Sequence, residues 1–300
     1  MSIAAYRLPH LGNTTCIVVG LGLIGRATAS HLSLIGSQID LGLSPKVNWS
    51  DPQSILGAIR LVPNDTAARC ELIWCAGQTG FSATDSQLEA EYLIFQEVIE
   101  QLTKVHQSLG VSFMSSAGGL YEGSGGAQSE TDPITPLRPY AQWKLKQETF
   151  LQARIETSRI YRISSVYGVS SRKSRQGIVN ALIESTYTNT PALIYAKAST
   201  LRDYVSNLDV SKYVVSKLAL DTNMVAIIAS GRPTSIDMIA NLVKRVTRRN
   251  LKIIYRPSDH NDKDIIFSKR SLPVDFHSRS LEEGILNLSA TYRQIKFSGV

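Results

Sequence analysis

Cysteine, long apolar runs and metal-ligand patterns are scarce in this chain of 300 residues. Without a long charge-poor apolar run, no transmembrane helix is expected. The start, MSIAAYRLPHLGNTT, lacks the basic residues and apolar core of a signal peptide, so we expect a cytoplasmic protein. Three cysteines in apolar surroundings (Cys16, Cys70 and Cys75) predict buried thiols instead of a disulfide framework. The five histidines show no metal-ligand spacing, so no metal is expected.

The chain carries a net charge of +7, which suggests an anionic partner. A phosphorylated small molecule or a nucleic acid would fit this charge, and so would an ordinary solvated surface. The basic residues are spread along the chain, with short clusters only at residues 172–175 and 244–249. The charge alone therefore leaves these alternatives open, with ordinary surface charge favoured; the complete set of observations below leads us to expect neither nucleic acid nor a membrane as partner.

The first half of the chain alternates short apolar runs with longer amphipathic ones, which is typical of βαβ units around a parallel sheet. The runs predict strands at residues 15–19, 38–43, 70–75, 111–114 and 158–163, and helices at residues 21–35, 88–109 and 140–154. The fold class expected from this pattern is α/β, with a Rossmann-type doubly wound parallel sheet.

The pattern changes after about residue 170. Helices are predicted at residues 176–186, 235–247 and 280–289, and short strands at 192–195 and 251–255, with Thr234 and Ser235 as candidate caps of the middle helix. These strands are too few for a second full sheet. We expect residues 1–170 to form the NAD(P)-binding domain with the catalytic residues. Residues 171–300 should form a smaller α/β substrate-binding domain, with the active site between the two.

A glycine-rich segment, IVVGLGLIGRA, follows the first predicted strand and opens the first predicted helix. Gly20, Gly22 and Gly25 stand in G-x-G-x-x-G spacing. The three glycines allow a tight turn, close approach of the backbone to a pyrophosphate, and close packing of helix on strand. Together with Leu23 and Ile24 they predict a dinucleotide site at the helix N-terminus, where N–H groups face the phosphates. The alternative is a glycine turn that serves packing only.

The residues that would face the adenosine ribose leave the choice between NAD and NADP open. The acidic residue that usually ends the second strand and binds the 2′-hydroxyl is not in its expected place, since Asp40 falls inside the predicted strand. Ser44 and Lys46 could instead face a 2′-phosphate. Ala76 and Gly77, after the CELIWC strand, complete the expected cofactor site.

A tyrosine and a lysine four residues apart supply the candidate catalytic pair. Tyr140 and Lys144 share one face of the predicted helix. The lysine cation lowers the pKa of the nearby phenol, which can then exchange a proton with a substrate hydroxyl as hydride moves to or from nicotinamide. Ser115 or Ser116, at a predicted strand end, would hold the same oxygen. On its own, a Y-x-x-x-K pattern usually marks only the surface of a helix. Here it indicates a catalytic pair because the glycine loop, the serine pair and the tyrosine follow one another in this order along the chain.

These motifs resemble those of the extended short-chain dehydrogenase/reductase family, in its NAD-dependent epimerase/dehydratase branch. The resemblance covers nearly the whole chain and rests on IVVGLGLIGRA, SSAGGLYEG, PYAQWK, YRISSVYG, STLRDYV and SIDMIANLVKRVTRRNLKIIYRPSD. It implies that Arg202, in STLRDYV, and Arg256, in YRPSD, bind the diphosphate of a nucleotide sugar. A guanidinium fork suits diphosphate oxygens, although either arginine alone would be interpreted as surface charge.

Several positions depart from the family pattern. The glycine motif is G-x-G-x-x-G where the branch usually has G-x-x-G-x-x-G. Ser165 replaces a common substrate-binding asparagine, and YAKAST at residues 195–200 replaces the usual Y-G-D-G-S-T. Ala117, Gly118 and Gly119 stand where the 4,6-dehydratases carry an Asp-Glu pair, and the glutamate of the decarboxylases is also missing. Without an acid to eliminate water, dehydration is disfavoured.

The combined expectation is a nucleotide-sugar 4-epimerase that uses NAD and a UDP-sugar, with Ser116, Tyr140 and Lys144 as catalytic residues and Ser116, Ser165, Arg202 and Arg256 at the substrate. The resemblance also implies a homodimer through the helices at 88–109 and 140–154. An NADPH-dependent ketoreductase with the same residues is the alternative enzyme. A non-catalytic NAD(P)-sensing protein is the alternative of another class, and the intact tyrosine–lysine pair argues against it.

Overall fold

The computed structural model describes residues 3–41, 47–63, 69–169, 177–257 and 261–297. In chain order the strands are β1 (Ile3–Leu8), β2 (Thr14–Val19), β3 (Ser37–Gln38), β4 (Cys70–Trp74), β5 (Leu109–Ser116), β6 (Ala127–Gln128), β7 (Thr157–Ile163), β8 (Ser165–Tyr167), β9 (Ala192–Ile194), β10 (Leu201–Arg202), β11 (Tyr204–Ser206), β12 (Met224–Ile228), β13 (Thr234–Ser235), β14 (Ile253–Tyr255) and β15 (Ile266–Phe267). The helices are α1 (Leu23–Ile35), α2 (Pro52–Ile59), α3 (Asp85–Val105), α4 (Ala117–Leu120), α5 (Pro139–Arg154), α6 (Ile178–Thr188), α7 (Asn207–Ser216), α8 (Ile236–Thr247) and α9 (Leu281–Phe297).

Seven strands form the central sheet, in the order β12-β7-β5-β4-β2-β1-β3. Strands β2, β4 and β5 run parallel, in a register that places Val19 beside Trp74 and Trp74 beside Phe113. These strands are buried along almost their whole length, which explains why each is a nearly continuous apolar run in the sequence. Their carboxyl ends meet at one edge of the sheet. The predicted Rossmann-type α/β fold is confirmed.

Strand β1 is an element that the sequence pattern does not predict. It runs antiparallel to β2 and to β3 and lies between them. Gly12 and Asn13, with φ of 62° and 60°, turn the chain back from β1 into β2. As a result β3 is two strand spacings, roughly 10 Å, from β2 instead of one.

The predicted second strand at residues 38–43 is wrong in its extent. Up to residue 41 the strand comprises β3 (Ser37–Gln38), and Asp40 lies after it, not inside it; residues 42 and 43 lie outside the described part of the chain. After the two bridge pairs of β3, the Ile39 N–H still donates to Ala5, but no further ladder forms. Because only two of its residues pair with β1, this segment forms a short strand and not the longer one that the apolar pattern predicts. Ser44 and Lys46 lie outside the described residues.

Helix α3 begins and ends earlier than the predicted helix at 88–109. Thr84 and Gln87 form a capping box, in which the Thr84 hydroxyl accepts from the Gln87 N–H and the Gln87 side chain accepts from the Thr84 N–H. This T-x-x-Q signal places the first turn at Asp85. At the other end Leu109 belongs to β5. The predicted cap of α8 is confirmed, since the Ser235 hydroxyl accepts from the Met238 N–H at 3.2 Å.

The chain divides into two compact units, each made of several segments. The first unit comprises residues 1–120, 135–162 and 211–226, and the second comprises residues 121–134, 163–210 and 227–300. The core of the first unit packs helices α2, α3 and α5 on the sheet, and that of the second packs α6, α8 and α9 around strand pair β9–β14. The predicted division of cofactor and substrate roles near residue 170 stays a prediction.

Two of the three cysteines are buried as predicted, whereas Cys75 departs from that prediction. Cys16 and Cys70 are buried, Cys75 is partly exposed, and none of the three forms a disulfide. Burial raises the pKa of the Cys70 and Cys75 thiols to about 12, so both are protonated near neutral pH.

Within the described ranges, no helix is both long and apolar enough to cross a membrane.

Candidate active site

The glycine loop joins β2 to α1 at the carboxyl edge of the sheet. Gly20 has φ of +92°, and a Cβ there would lie 2.5 Å from the backbone of Ala76. A Cβ on Gly25 would collide with the Gly20 carbonyl oxygen. A Cβ on Gly22, by contrast, would meet nothing within 4 Å. Gly20 and Gly25 are therefore required for packing, whereas the open side of Gly22 leaves room for a ligand at the helix N-terminus.

The loop after β4 lies beside the glycine loop. Ala76 packs on Gly20, and Gly77 follows it. The Glu91 carboxylate, on α3, accepts the N–H groups of Gln78 and Thr79 at 2.9 and 3.0 Å and the Thr79 hydroxyl at 2.8 Å. This carboxylate holds the loop in place and was not singled out from the sequence.

The two adjacent serines at the end of β5 have different roles. The buried Ser115 hydroxyl donates to the Glu148 carboxylate at 2.5 Å, on the side of the strand that faces α5. Ser116 is the last residue of β5, is partly exposed, and accepts the Gly119 N–H at 3.2 Å. Because the Ser115 hydroxyl is committed to Glu148, Ser116 is the better candidate for contact with substrate.

Tyr140 lies in the first turn of α5, and the residue after it, Ala141, packs near Gly119. A Cβ on Gly119 would lie 3.0 Å from the Ala141 methyl, 3.4 Å from the Ser116 hydroxyl and 3.6 Å from the Phe81 ring. The centroid of the Phe81 ring is in turn 4.9 Å from that of Tyr140. Ser116 and the Phe81 ring that packs on Tyr140 therefore both lie close to Gly119, where a side chain would be crowded against Ala141.

Lys144 is buried one turn after Tyr140. Its Nζ atom donates to the Met114 carbonyl oxygen at 3.5 Å and lies 4.6 Å from the centroid of the Phe113 ring. Burial lowers the pKa of this ammonium group, and the carboxylates of Glu91 and Glu148 oppose that effect. Tyr140 and Lys144 stand four residues apart on α5, which is the spacing of neighbours on one helix face.

Ser165 and Arg202 belong to the second unit and lie close together there. Ser165 begins β8, which pairs in parallel with β11, and its N–H donates to the Asp203 carbonyl oxygen at 3.1 Å. The Arg202 guanidinium donates to the Asn261 carbonyl at 2.8 Å and to the carbonyl of Lys263. Arg202 thus also anchors the chain around residues 261–263, a role that the sequence did not indicate.

Arg256 follows the short strand β14 and is exposed. Its N–H donates to the Ile194 carbonyl oxygen at 2.7 Å, at the carboxyl end of the parallel pair β9–β14. An exposed guanidinium at the carboxyl ends of strands can meet an anionic ligand.

A cavity of about 130 Å³ lies elsewhere in the first unit. Thr15 and Cys70 line it, at the amino ends of β2 and β4, together with residues of α2 and the end of α3 such as Leu56 and Leu102. This edge is opposite to the one where the glycine loop and Ser116 lie. The cavity is therefore separate from the candidate active site.

Comparison with family models identifies one match. The model of the NAD dependent epimerase/dehydratase family matches residues 17–226 of this chain. The matched range covers the glycine loop, Ser116, Tyr140, Lys144, Ser165 and Arg202. A search of curated proteins found no significant match.

Solved structures share the fold over almost the entire chain. UDP-glucose 4-epimerase from Thermotoga maritima, with UDP-glucose, has a TM-score of 0.76 and 20% identity over 93% of this chain and 98% of that one. UDP-glucose 4-epimerase from Thermus thermophilus, in complex with NAD, has a TM-score of 0.75 and 19% identity over 92% and 97%. MoeE5, in complex with UDP-glucose and NAD, has a TM-score of 0.73 and 21% identity over 92% and 98%.

Proposed function

This chain belongs to the NAD-dependent epimerase/dehydratase family, and from that premise we propose that it is a UDP-sugar 4-epimerase. The observation that carries the proposal is the grouping of Ser116, Phe81 and the start of α5 around Gly119. Tyr140 packs on that Phe81 ring, and Lys144 is buried one turn after Tyr140. The segment of Ala117, Gly118 and Gly119 offers no carboxylate beside these hydroxyls. The site can therefore move a proton at a hydroxyl-bearing carbon, but it lacks an acid there for the elimination of water.

The residues of the first unit fit a nicotinamide dinucleotide. The open side of Gly22 and the N-terminus of α1, with Leu23 and Ile24, would hold the pyrophosphate, and Ala76 and Gly77 would line the path toward Tyr140 and Lys144. When bound, NAD supplies reversible acceptance of a hydride. Structural neighbours that contain NAD support this cofactor over NADP. The proposed contact of Ser44 stays a prediction.

Three side chains of this unit perform the proton chemistry. Tyr140 takes the proton of the C4 hydroxyl and later returns it to the C4 oxygen. The Ser116 hydroxyl donates a hydrogen bond to that same oxygen and holds it near the phenol. The buried Lys144 ammonium stabilises the phenolate form of Tyr140 through its charge.

The second unit would supply the contacts to the nucleotide sugar. Arg202 and Arg256 carry guanidinium groups suited to diphosphate oxygens, and Ser165 lies beside Arg202. Neighbours that contain UDP-glucose support a UDP-sugar as the substrate class. A homodimer formed through α3 and α5, and a cytoplasmic location, stay predictions.

Replacement of Arg202 by alanine is expected to weaken UDP-sugar binding about 10- to 150-fold, since a charge-assisted bond is worth about 1.5–3 kcal/mol. NAD affinity should hardly change. Lysine should restore only part of the loss, because it keeps the charge without the planar fork. Calorimetric titrations with UDP, UDP-glucose, NAD and NADP would measure each affinity.

Arg232 provides the matched control for this substitution. Its guanidinium also donates to two backbone carbonyls of the second unit, those of Ser278 and Arg279, at 2.8 and 2.9 Å. Arg232→Ala should therefore cost similar thermal stability without the loss of UDP affinity. If both variants lose UDP affinity equally, Arg202 only anchors residues 261–263. If neither loses it, the diphosphate assignment is wrong.

The nucleotide that the purified protein contains tests the proposed function. An epimerase regenerates its cofactor in every turnover, so we expect bound NAD, found by mass spectrometry after denaturation, and turnover of UDP-glucose without added cofactor. An empty site that prefers NADPH, with reduced sugar released, would instead identify a ketoreductase. Nucleotide binding without any turnover would indicate a sensing protein.

A further inference from the structure

We propose that Glu148 and Arg162 act with Ser115 as a positioning clamp, which fixes helix α5 on the sheet and sets the charge environment of Lys144. The inference deepens the proposed function, because it concerns the lysine of that same site. Glu148 and Arg162 were not expected at the reacting atoms, and Ser115, the alternative to Ser116 in the sequence, has its hydroxyl bonded to Glu148. Their effect would reach the chemistry through Lys144 and Ser116.

The clamp is a closed set of buried contacts between one helix and two strands. The Arg162 Nε atom, on β7, donates to both Glu148 oxygens at 3.1 and 3.2 Å, and its Nη2 atom donates to Oε2 at 2.7 Å. The Ser115 hydroxyl, on β5, donates to Oε1 at 2.5 Å. Glu148 is 1% exposed and Arg162 is 7% exposed. Such a charged pair tolerates little displacement, because losing one partner would leave the other charge buried and unpaired.

Each end of the clamp is next to a proposed catalytic residue. Glu148 follows Lys144 by four residues on α5, so the two side chains are neighbours on the same helix face. Ser115 immediately precedes Ser116 on β5. A rigid link from Glu148 to Ser115 therefore fixes the distance between the helix that carries Tyr140 and the strand end that carries Ser116.

The charges that surround Lys144 come from three elements. Glu91 on α3 and Glu148 on α5 both raise the pKa of the Lys144 ammonium. Burial is the largest influence and lowers that pKa. Arg162 lies behind Glu148 and offsets part of its negative charge. Removal of the Glu148 charge alone would thus leave Lys144 with less negative charge around it, while the positive charge of Arg162 remains nearby.

The test is the pH dependence of kcat for Glu148→Gln and for the double variant Glu148→Gln/Arg162→Met. In Glu148→Gln, Lys144 should lose its proton at lower pH, so the alkaline limb of the profile should move down by about one pH unit. Turnover near neutral pH should fall about 10-fold while KM changes less. In the double variant both charges are removed, so the alkaline limb should return at least halfway to its wild-type position. A limb that stays at its wild-type position in Glu148→Gln would overturn the proposal, as would a double variant no closer to wild type than the single one.

A second buried ion pair gives a matched control. Glu71 on β4 pairs with Arg159 on β7, and both side chains are fully buried. Both residues lie toward the amino ends of their strands, away from Ser116. Glu71→Gln should lower the thermal unfolding temperature much as Glu148→Gln does, but it should leave the alkaline limb in place. An equal shift of the alkaline limb in Glu71→Gln and Glu148→Gln would mean a general loss of stability and would overturn the clamp.

A readout without turnover separates this proposal from the proposed function. Ultraviolet titration of phenolate absorbance, compared with Tyr140→Phe in each background, reports the pKa of Tyr140 directly. Loss of Lys144 charge at lower pH should make that phenol harder to ionise in Glu148→Gln, with recovery in the double variant. If wild type turns over no UDP-sugar but this pattern appears, the proposed function fails and the clamp stands. If wild type epimerises and the phenol titrates alike in all variants, the clamp is overturned.

Discussion

Replacement of Tyr140 by phenylalanine is expected to lower turnover by about 10²–10⁴-fold, the usual contribution of a positioned acid–base group. The variant loses the phenolic proton but keeps the ring that packs on Phe81 at 4.9 Å. The glycine loop is untouched, so NAD affinity should remain within about threefold of wild type. Steady-state kinetics with a UDP-sugar and calorimetry with NAD would measure the two quantities.

Tyr92 serves as the control for this substitution. It lies on α3 in the same unit, and its ring contacts Trp143 and Phe150. Tyr92→Phe removes a hydroxyl of the same kind that takes no part in the proposed proton transfer, so its turnover should be close to wild type. Near-normal turnover in Tyr140→Phe would remove Tyr140 from the mechanism.

Replacement of Gly22 by valine is expected to reduce NAD affinity on the order of 100-fold or more, or about 2.7 kcal/mol and above. The backbone at Gly22 has φ of −82°, which an L-residue can adopt, and a Cβ there meets nothing within 4 Å. The protein should therefore fold, while the branched side chain fills the space that the pyrophosphate needs. NAD titration by calorimetry, together with thermal unfolding, would measure both effects.

Substitutions at two other glycines serve as comparisons for Gly22→Val. Gly57, on α2, also has open space at its Cβ position, so Gly57→Val should keep wild-type NAD affinity. Gly25→Ala would drive a methyl group into the Gly20 carbonyl, so it should lower stability as well as binding. Unchanged NAD affinity in Gly22→Val would mean that the loop is only a packing turn.

Elements with strong local signals could be predicted from the sequence. The run TTCIVV predicts β2, and the glycines and apolar periodicity that follow predict α1. Pro139 at the first helical position and Lys144 one turn after Tyr140 likewise predict helix α5. Such features depend on neighbours within a few residues, so a single sequence contains the information for them.

Strand β1 depends on distant partners and was missed. Its residues IAAYRL show no clear alternation, and they become a strand because β2 and β3 offer hydrogen bonds on both sides. Its insertion also moves β3 outward, which is why the segment around Asp40 differs from the expected second strand. Pairing between segments that lie far apart in sequence leaves no local pattern to detect.

The residues of the candidate site divide in the same way, into those with a local sequence signal and those without one. The motifs point to Gly22, Ser116, Tyr140 and Lys144, because their spacing follows from one loop, one strand end and one helix. Phe81, Glu91, Glu148 and Arg162 were not identified, since each acts through a contact with a different element. An aromatic residue in the glycine-containing loop CAGQTGF was the one local signal that could have drawn attention to Phe81.

The central claim is that the chain inverts C4 of a UDP-sugar without net oxidation or reduction. The most direct measurement is NMR of a UDP-hexose that carries deuterium at C4, incubated with the protein as purified and without added cofactor. We predict that the C4 epimer forms and keeps its deuterium, because the label never leaves the active site between its removal and its return. Formation of a reduced sugar only when NADPH is added, or an epimer that has lost its deuterium to solvent, would contradict the claim.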